Sequence, residues 1–207
     1  MASWVFSLLT ASSGVAAIIP AIDFDGTSAS RSDGPFVIGN LFTVGAKNLS
    51  VLALGVQDYG PSGVANANGF VASPRGVGIW NAAGTILLAS ASVASTDPLT
   101  GTYRYASITP IVLSAGMQYL IGASVGSGRE YFGDGGAPAS YSGSPGIITL
   151  NDSRFISSGV LAAPTSSGGL AAGRWAAANF LTPEPSSSAM LLFGTLGLLR
   201  MRQKRTH

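Results

Sequence analysis

The 207-residue sequence predicts an all-β protein: a two-sheet antiparallel sandwich, jelly-roll-like, with a short hydrophobic helix at its C-terminal end. Three observations point there. Short apolar segments rich in β-branched and large side chains recur along the chain. Gly, Asn, Pro and Ser punctuate them, and no apolar stripe of helical period appears before the tail. Roughly eight to ten such segments with frequent turns form the pattern of two sheets enclosing one core.

The chain opens on "MASWVFSLLTASSGVAAIIPA", apolar from Trp4 to Ala21. This stretch, 1–21, has the apolar region and small-residue end of a signal peptide, with cleavage near Gly14-Val15-Ala16 or Ile19-Pro20-Ala21. No Lys or Arg precedes Arg31, so a buried first strand is the competing reading. The body, 22–182, begins with strands at "FVIGNLFTV" (36–44) and "LSVLALGV" (49–56). A Gly/Asn/Pro-rich loop (57–69) separates these from "GVGIWN" (76–81) and "TILLASASV" (85–93), which flank Ala82-Ala83-Gly84 as a compact hairpin. "TYRYASIT" (102–109) alternates with period two. "PIVLSAGMQYLIGASV" (110–125) adds two strands around Ser114-Ala115-Gly116. The stretch 127–146 is too rich in Gly and Pro for an element and reads as an exposed loop. Then come "IITL" (147–150), "RFIS" (154–157), a Ser/Gly/Ala stretch (162–173), and a last strand "RWAAANFLT" (174–182). Phe42, Leu52, Leu54, Ile79, Trp80, Leu120 and Phe180 are expected between the sheets.

Charge narrows the function. Charged residues make up 10% of the chain, well under the roughly 25% of ordinary soluble domains, so hydroxyls, Asn and backbone must form much of the solvent face. Between Ile22 and Thr182, seven Asp and Glu130 stand against Lys47 and six Arg, a net charge of −1. The excess basicity belongs to Arg200, Arg202, Lys204 and Arg205. A folded surface without a basic face excludes nucleic acid as the expected partner.

Chemistry is equally restricted. Cysteine is absent and the single histidine is His207, which removes thiolate metal sites, Cys nucleophiles and Ser-His-acid hydrolysis. No carboxylate pair stands out for glycoside cleavage, so no catalytic residue and no cofactor is expected. Asp23 and Asp25, at i and i+2, share one face of a strand and are weak calcium candidates. Tyr131 and Tyr141, in the 126–146 loop with polar neighbours, are candidates for glycan contact, although loop aromatics more often cap a core edge.

The tail, 183–207, is the most informative segment. Pro183 and Pro185 bracket Glu184 and favour an extended peptide. The apolar run Ala189–Leu199 would span about 16 Å as a helix, and 186–201 about 24 Å, against a hydrocarbon core of about 30 Å. Arg200, Arg202, Lys204 and Arg205 then act as a stop-transfer cluster that stays on the cytoplasmic side. This order resembles a PEP-CTERM sorting signal, the bacterial signal read by the membrane protease exosortase. The resemblance implies export, transient inner-membrane anchoring, cleavage near Pro183-Glu184-Pro185, and delivery to the cell surface or extracellular matrix. The apolar run is shorter than usual for the family, and there is no contiguous Arg trio. The segments "NLFTVGAKNLSVLALGVQD", "VGIWNAAGTILLASASV" and "ITPIVLSAGMQYLIGASV" in turn resemble a β-sandwich family of unknown function in bacterial surface and exopolysaccharide-linked proteins. That resemblance covers about residues 35–125 and brings no catalytic residues. Together they imply a structural or adhesive envelope protein linked to exopolysaccharide, with a glycan-binding module as the alternative and an envelope hydrolase third.

Overall fold

A computed structural model describes residues 16–24, 28–31, 34–58, 74–126, 130–133, 141–168 and 175–184. Among these residues the chain is all-β and contains no helix. In order the strands are β1 (Ile18–Pro20), β2 (Ile22–Phe24), β3 (Ser28–Arg31), β4 (Phe36–Val44), β5 (Leu49–Gln57), β6 (Arg75–Asn81), β7 (Leu87–Val93), β8 (Leu99–Thr100), β9 (Tyr103–Leu113), β10 (Gln118–Val125), β11 (Glu130–Gly133), β12 (Tyr141–Gly143), β13 (Ile148–Ser157), β14 (Ser166–Ser167) and β15 (Ala178–Pro183). Ile18–Pro183 forms one compact unit. A second combines Met1–Ala17 with Glu184–His207, and of it only Ala16, Ala17 and Glu184 are described.

Two antiparallel sheets dominate. One has the order β1-β15-β5-β9-β8, the other β14-β13-β4-β10-β6-β7; two-stranded ribbons β11-β3 and β12-β2 complete the set. Alternation along the strands gives each sheet an inner apolar face. From the first sheet come Val51, Leu54, Val56, Leu113, Ala178 and Phe180; from the second come Ile38, Phe42, Val77, Ile79, Val93, Ile121 and Ile148. Phe42 of β4 and Phe180 of β15 meet across the gap with ring centroids 5.6 Å apart. Two sheets sharing one buried layer make a β-sandwich.

Three expected core residues depart from that layer. Trp80 and Leu120 are buried, but their neighbours Ile79 and Ile121 occupy the inner face, so both belong to the outer face of the six-stranded sheet. Leu52 is only half-buried. The register between β5 and β9 shifts between Val51 and Ala53, and the bulge takes Leu52 out of the alternation. The same irregularity absorbs Pro110, which cannot donate to a regular ladder. It also fuses "TYRYASIT" and "PIVL" into the single strand β9. The hairpin at Ala82–Gly84 forms as expected, with Gly84 at φ +73°. Glycine-rich 127–146, expected to be a loop, contains β11 and β12. Both are short, and each finds its partner far back in sequence, where local turn signals carry no information.

Both outer faces are also covered. On the six-stranded sheet Gly78, Gly122 and Gly39 lie opposite one another across β6, β10 and β4. The Trp80 ring lies over Gly78, and Pro164 lies against Gly122, where a Cβ would stand 2.8 Å from its ring. Leu161 reaches Gly76, and Thr165 reaches Gly84. Residues 158–165 thus form an irregular strap over a furrow that side chains would fill. Arg154 fastens its end by donating to the Thr165 carbonyl at 2.9 Å. On the five-stranded sheet, Tyr103, Tyr105, Ala53 and Ala176 form a second small cluster with Leu181 against it.

Candidate functional site

The described residues offer one end of the sandwich as a concave surface. A cleft of about 210 Å³ is lined by Ile19, Pro20, Ile22, Asp23, Thr100, Gly101, Thr102, Tyr103 and Ser144. Three stretches build it: the β1–β2 corner, the β8–β9 turn, and the residue after β12.

Each wall is held by buried polar contacts. Asn179 of β15 is fully buried; its amide oxygen accepts from the Ile22 N–H at 3.0 Å, and its amide nitrogen donates to the Ile22 carbonyl at 2.8 Å. This two-way pairing mimics a strand partner and fixes β2, and with it Asp23, against the first sheet. The Ser144 hydroxyl donates to the Pro20 carbonyl at 2.8 Å, and its N–H donates to the Ala21 carbonyl at 2.9 Å. On the opposite wall the Tyr103 hydroxyl donates to the Ala176 carbonyl at 2.5 Å. The Asp58 N–H donates to the Thr102 carbonyl at 2.7 Å. The Arg104 guanidinium pairs with the buried Asp58 carboxylate and donates to the Asp97 carbonyl at 2.9 Å. The β8–β9 turn is therefore tied to the sheet at several points.

The cleft is lined by the exposed Asp23 and Thr100, with Thr102 and the buried Tyr103 beside them. A single carboxylate beside hydroxyls can accept and donate hydrogen bonds to a polyhydroxylated ligand. No group of three or more His, Asp or Glu stands together among the described residues.

The structure separates the sequence candidates. Asp23 lines the cleft, whereas Asp25 lies outside the described residues. Tyr141 sits on β12 opposite Phe24, next to Ser142, which pairs with Asp23; the ribbon carrying Tyr141 therefore adjoins the cleft. Tyr131 sits on β11 opposite Ser30, in the other ribbon. Pro183 closes β15 opposite Ile18. Glu184 is exposed, and its N–H donates to the Ala17 carbonyl at 2.6 Å. Pro185, the apolar run and Arg200, Arg202, Lys204 and Arg205 lie outside the described residues.

Asn179, Ser144 and the Thr100–Thr102 turn were not legible as site residues. Asn179 had a faint signal, one amide inside the apolar strand "AAANFL". The others are ordinary turn residues whose roles depend on partners distant in sequence, Ser144 on Pro20 and Ala21, and Thr102 on Asp58. No protein-family model, curated protein or solved structure matches the chain.

Proposed function

We propose that this chain is an exported cell-envelope protein, sorted through its C-terminal Pro-Glu-Pro signal, with a structural or adhesive role in a surface polysaccharide matrix. One observation carries the reading: Pro183-Glu184-Pro185, an apolar run and a basic end follow in that order within the last twenty-five residues. The run forms a short membrane helix, and exosortase reads and removes the tail. Support comes from the position of the motif, since β15 ends at Pro183 and Glu184 is exposed beyond it. The body is a jelly-roll sandwich, supported by the order β1-β15-β5-β9 facing β4-β10-β6-β7. Pairing of Ile18–Pro20 with β15 and burial of Ala21 support a mature start no later than Ile18, ahead of the Ile19-Pro20-Ala21 site.

The test is Glu184→Ala in a host with exosortase. Uncleaved protein should accumulate in the inner membrane while circular dichroism and melting temperature of the body stay unchanged. Processing and localisation like wild type would overturn the sorting reading. Deleting Arg200 to Arg205 should release the precursor from that membrane.

A second reading is favoured by the cleft, which suits a glycan: Asp23, Thr100 and Thr102 would bond sugar hydroxyls beside Tyr103. A glycan array should then show binding that Asp23→Ala weakens. An array without signal for the wild-type chain removes this reading and leaves the sorting reading standing.

A further inference from the structure

The two large sheets have four edges, and three of them are blunted. β1 is three residues long and ends in Pro20; β8 is two residues long and follows Pro98, and the stretch of β9 beyond it carries Pro110; β14 is two residues long, and the stretch of β13 beyond it carries Asp152. Short edge strands and proline are the usual devices that keep an open sheet from pairing with another chain. The fourth edge, β7, has neither. It runs seven residues, "LLASASV", without a proline or a charge. Leu87, Leu88, Ser90 and Ser92 are exposed along it, and Ile86 just before it is 58% exposed. Among the described residues β7 pairs only with β6.

We infer that β7 is a self-association edge, and that its occupant is the β7 strand of a second copy of this chain, running antiparallel. The backbone N–H and C=O groups along the free edge are satisfied in kind only by another extended strand. Being uncharged, the strand offers nothing to select a partner of opposite charge, and nothing repels a second copy of itself. Its centre, Ala89-Ser90-Ala91, has only small side chains, so two such strands approach closely about a two-fold axis near Ser90. The contact is isologous and closes, joining two six-stranded sheets into one. Seven residues give a contact roughly 24 Å long, which buries less than the roughly 1,200–2,000 Å² of a stable interface. The dimer therefore forms at high local concentration and dissociates on dilution. This holds whether or not the sorting reading does.

The chain has no cysteine, which makes the test direct. Ser90→Cys and Ser167→Cys are made in the full chain, the second on the blunted β14 edge, and treated with a short bis-maleimide at increasing protein concentration. The Ser90→Cys chain should give cross-linked dimer at least about tenfold faster than Ser167→Cys, reflecting the effective concentration within a dimer. Adding Leu88→Lys and Ser92→Lys together should reduce that rate, because pairing about Ser90 sets residue 88 opposite residue 92 and like charges then face each other across the pair. Association through the apolar tail would cross-link both single-cysteine chains alike. Equal rates for the two, or a Ser90→Cys rate unmoved by both lysines, would overturn the proposal.

Discussion

The outer faces of the two sheets solve one problem in opposite ways. Each sheet carries apolar or glycine positions on the side away from the shared core, and a chain with so few charges cannot cover them with long polar side chains. On the six-stranded sheet the Trp80 ring covers Gly78, the Pro164 ring of the 158–165 strap covers Gly122, and Gly39 is closed against the backbone of the neighbouring strand at Ile121. The five-stranded sheet covers Gly55 with its own cross-strand neighbour, Tyr105, whose ring would stand 2.4 Å from a Cβ there. A backbone neighbour is rigid and a side chain can swing, so the two faces should tolerate the same substitution differently.

Gly39→Ala should have the largest effect. Its Cβ would stand 1.9 Å from the Ile121 carbonyl oxygen, and backbone in the middle of a sheet cannot yield without breaking pairs. A loss of more than about 3 kcal/mol is expected, seen as a fall in urea midpoint. Gly55→Ala meets only the Tyr105 ring and should cost about 1–2 kcal/mol, with Tyr105 displaced. An equal cost at both positions would show that the five-stranded face is as rigid as the other.

The tyrosines sharpen the comparison further. Tyr103 donates to Ala176, so Tyr103→Phe should cost about 1 kcal/mol. Tyr105 is buried and its hydroxyl makes no hydrogen bond among the described residues. Tyr105→Phe should therefore be neutral or slightly stabilising at neutral pH. Burial also pushes the Tyr105 phenol well above its ordinary value of 10.0. The folded state thus holds that proton more tightly than the unfolded chain does, and stability falls as pH rises above about 10. Melting curves at alkaline pH should show a shallower decline for Tyr105→Phe than for wild type.

Sequence pattern disclosed what is local. The period-two strand at Tyr103–Ile108, the Ala82–Gly84 hairpin and the inner-face residues Phe42, Leu54, Ile79 and Phe180 follow from alternation and turn chemistry. What it did not disclose depends on distant pairing. Trp80 and Leu120 look like core from hydrophobicity alone, because nothing local reveals that the distant strap 158–165 will cover the opposite face. Leu52 loses its place to a bulge that a count of alternation cannot anticipate. The cleft was illegible for the same reason: Asp23 lines one cleft with Thr100 and Thr102, and Asn179, from the far end of the chain, holds β2 in place there. Of the site candidates, the aspartate was visible as a residue type and its surroundings were not.

The pairing of Ile18 with Pro183 has a consequence for engineering. Antiparallel partners stand about 4.5–5.5 Å apart at their Cα atoms, so the polypeptide enters and leaves the sandwich at neighbouring points on one edge. A linker of a few residues would join those points and close the body into a covalent ring. Such a ring loses little freedom when folded, since its ends already meet, whereas the unfolded ring is far more confined than the open chain. Cyclised protein should therefore melt at a higher temperature than linear protein carrying the same linker uncut.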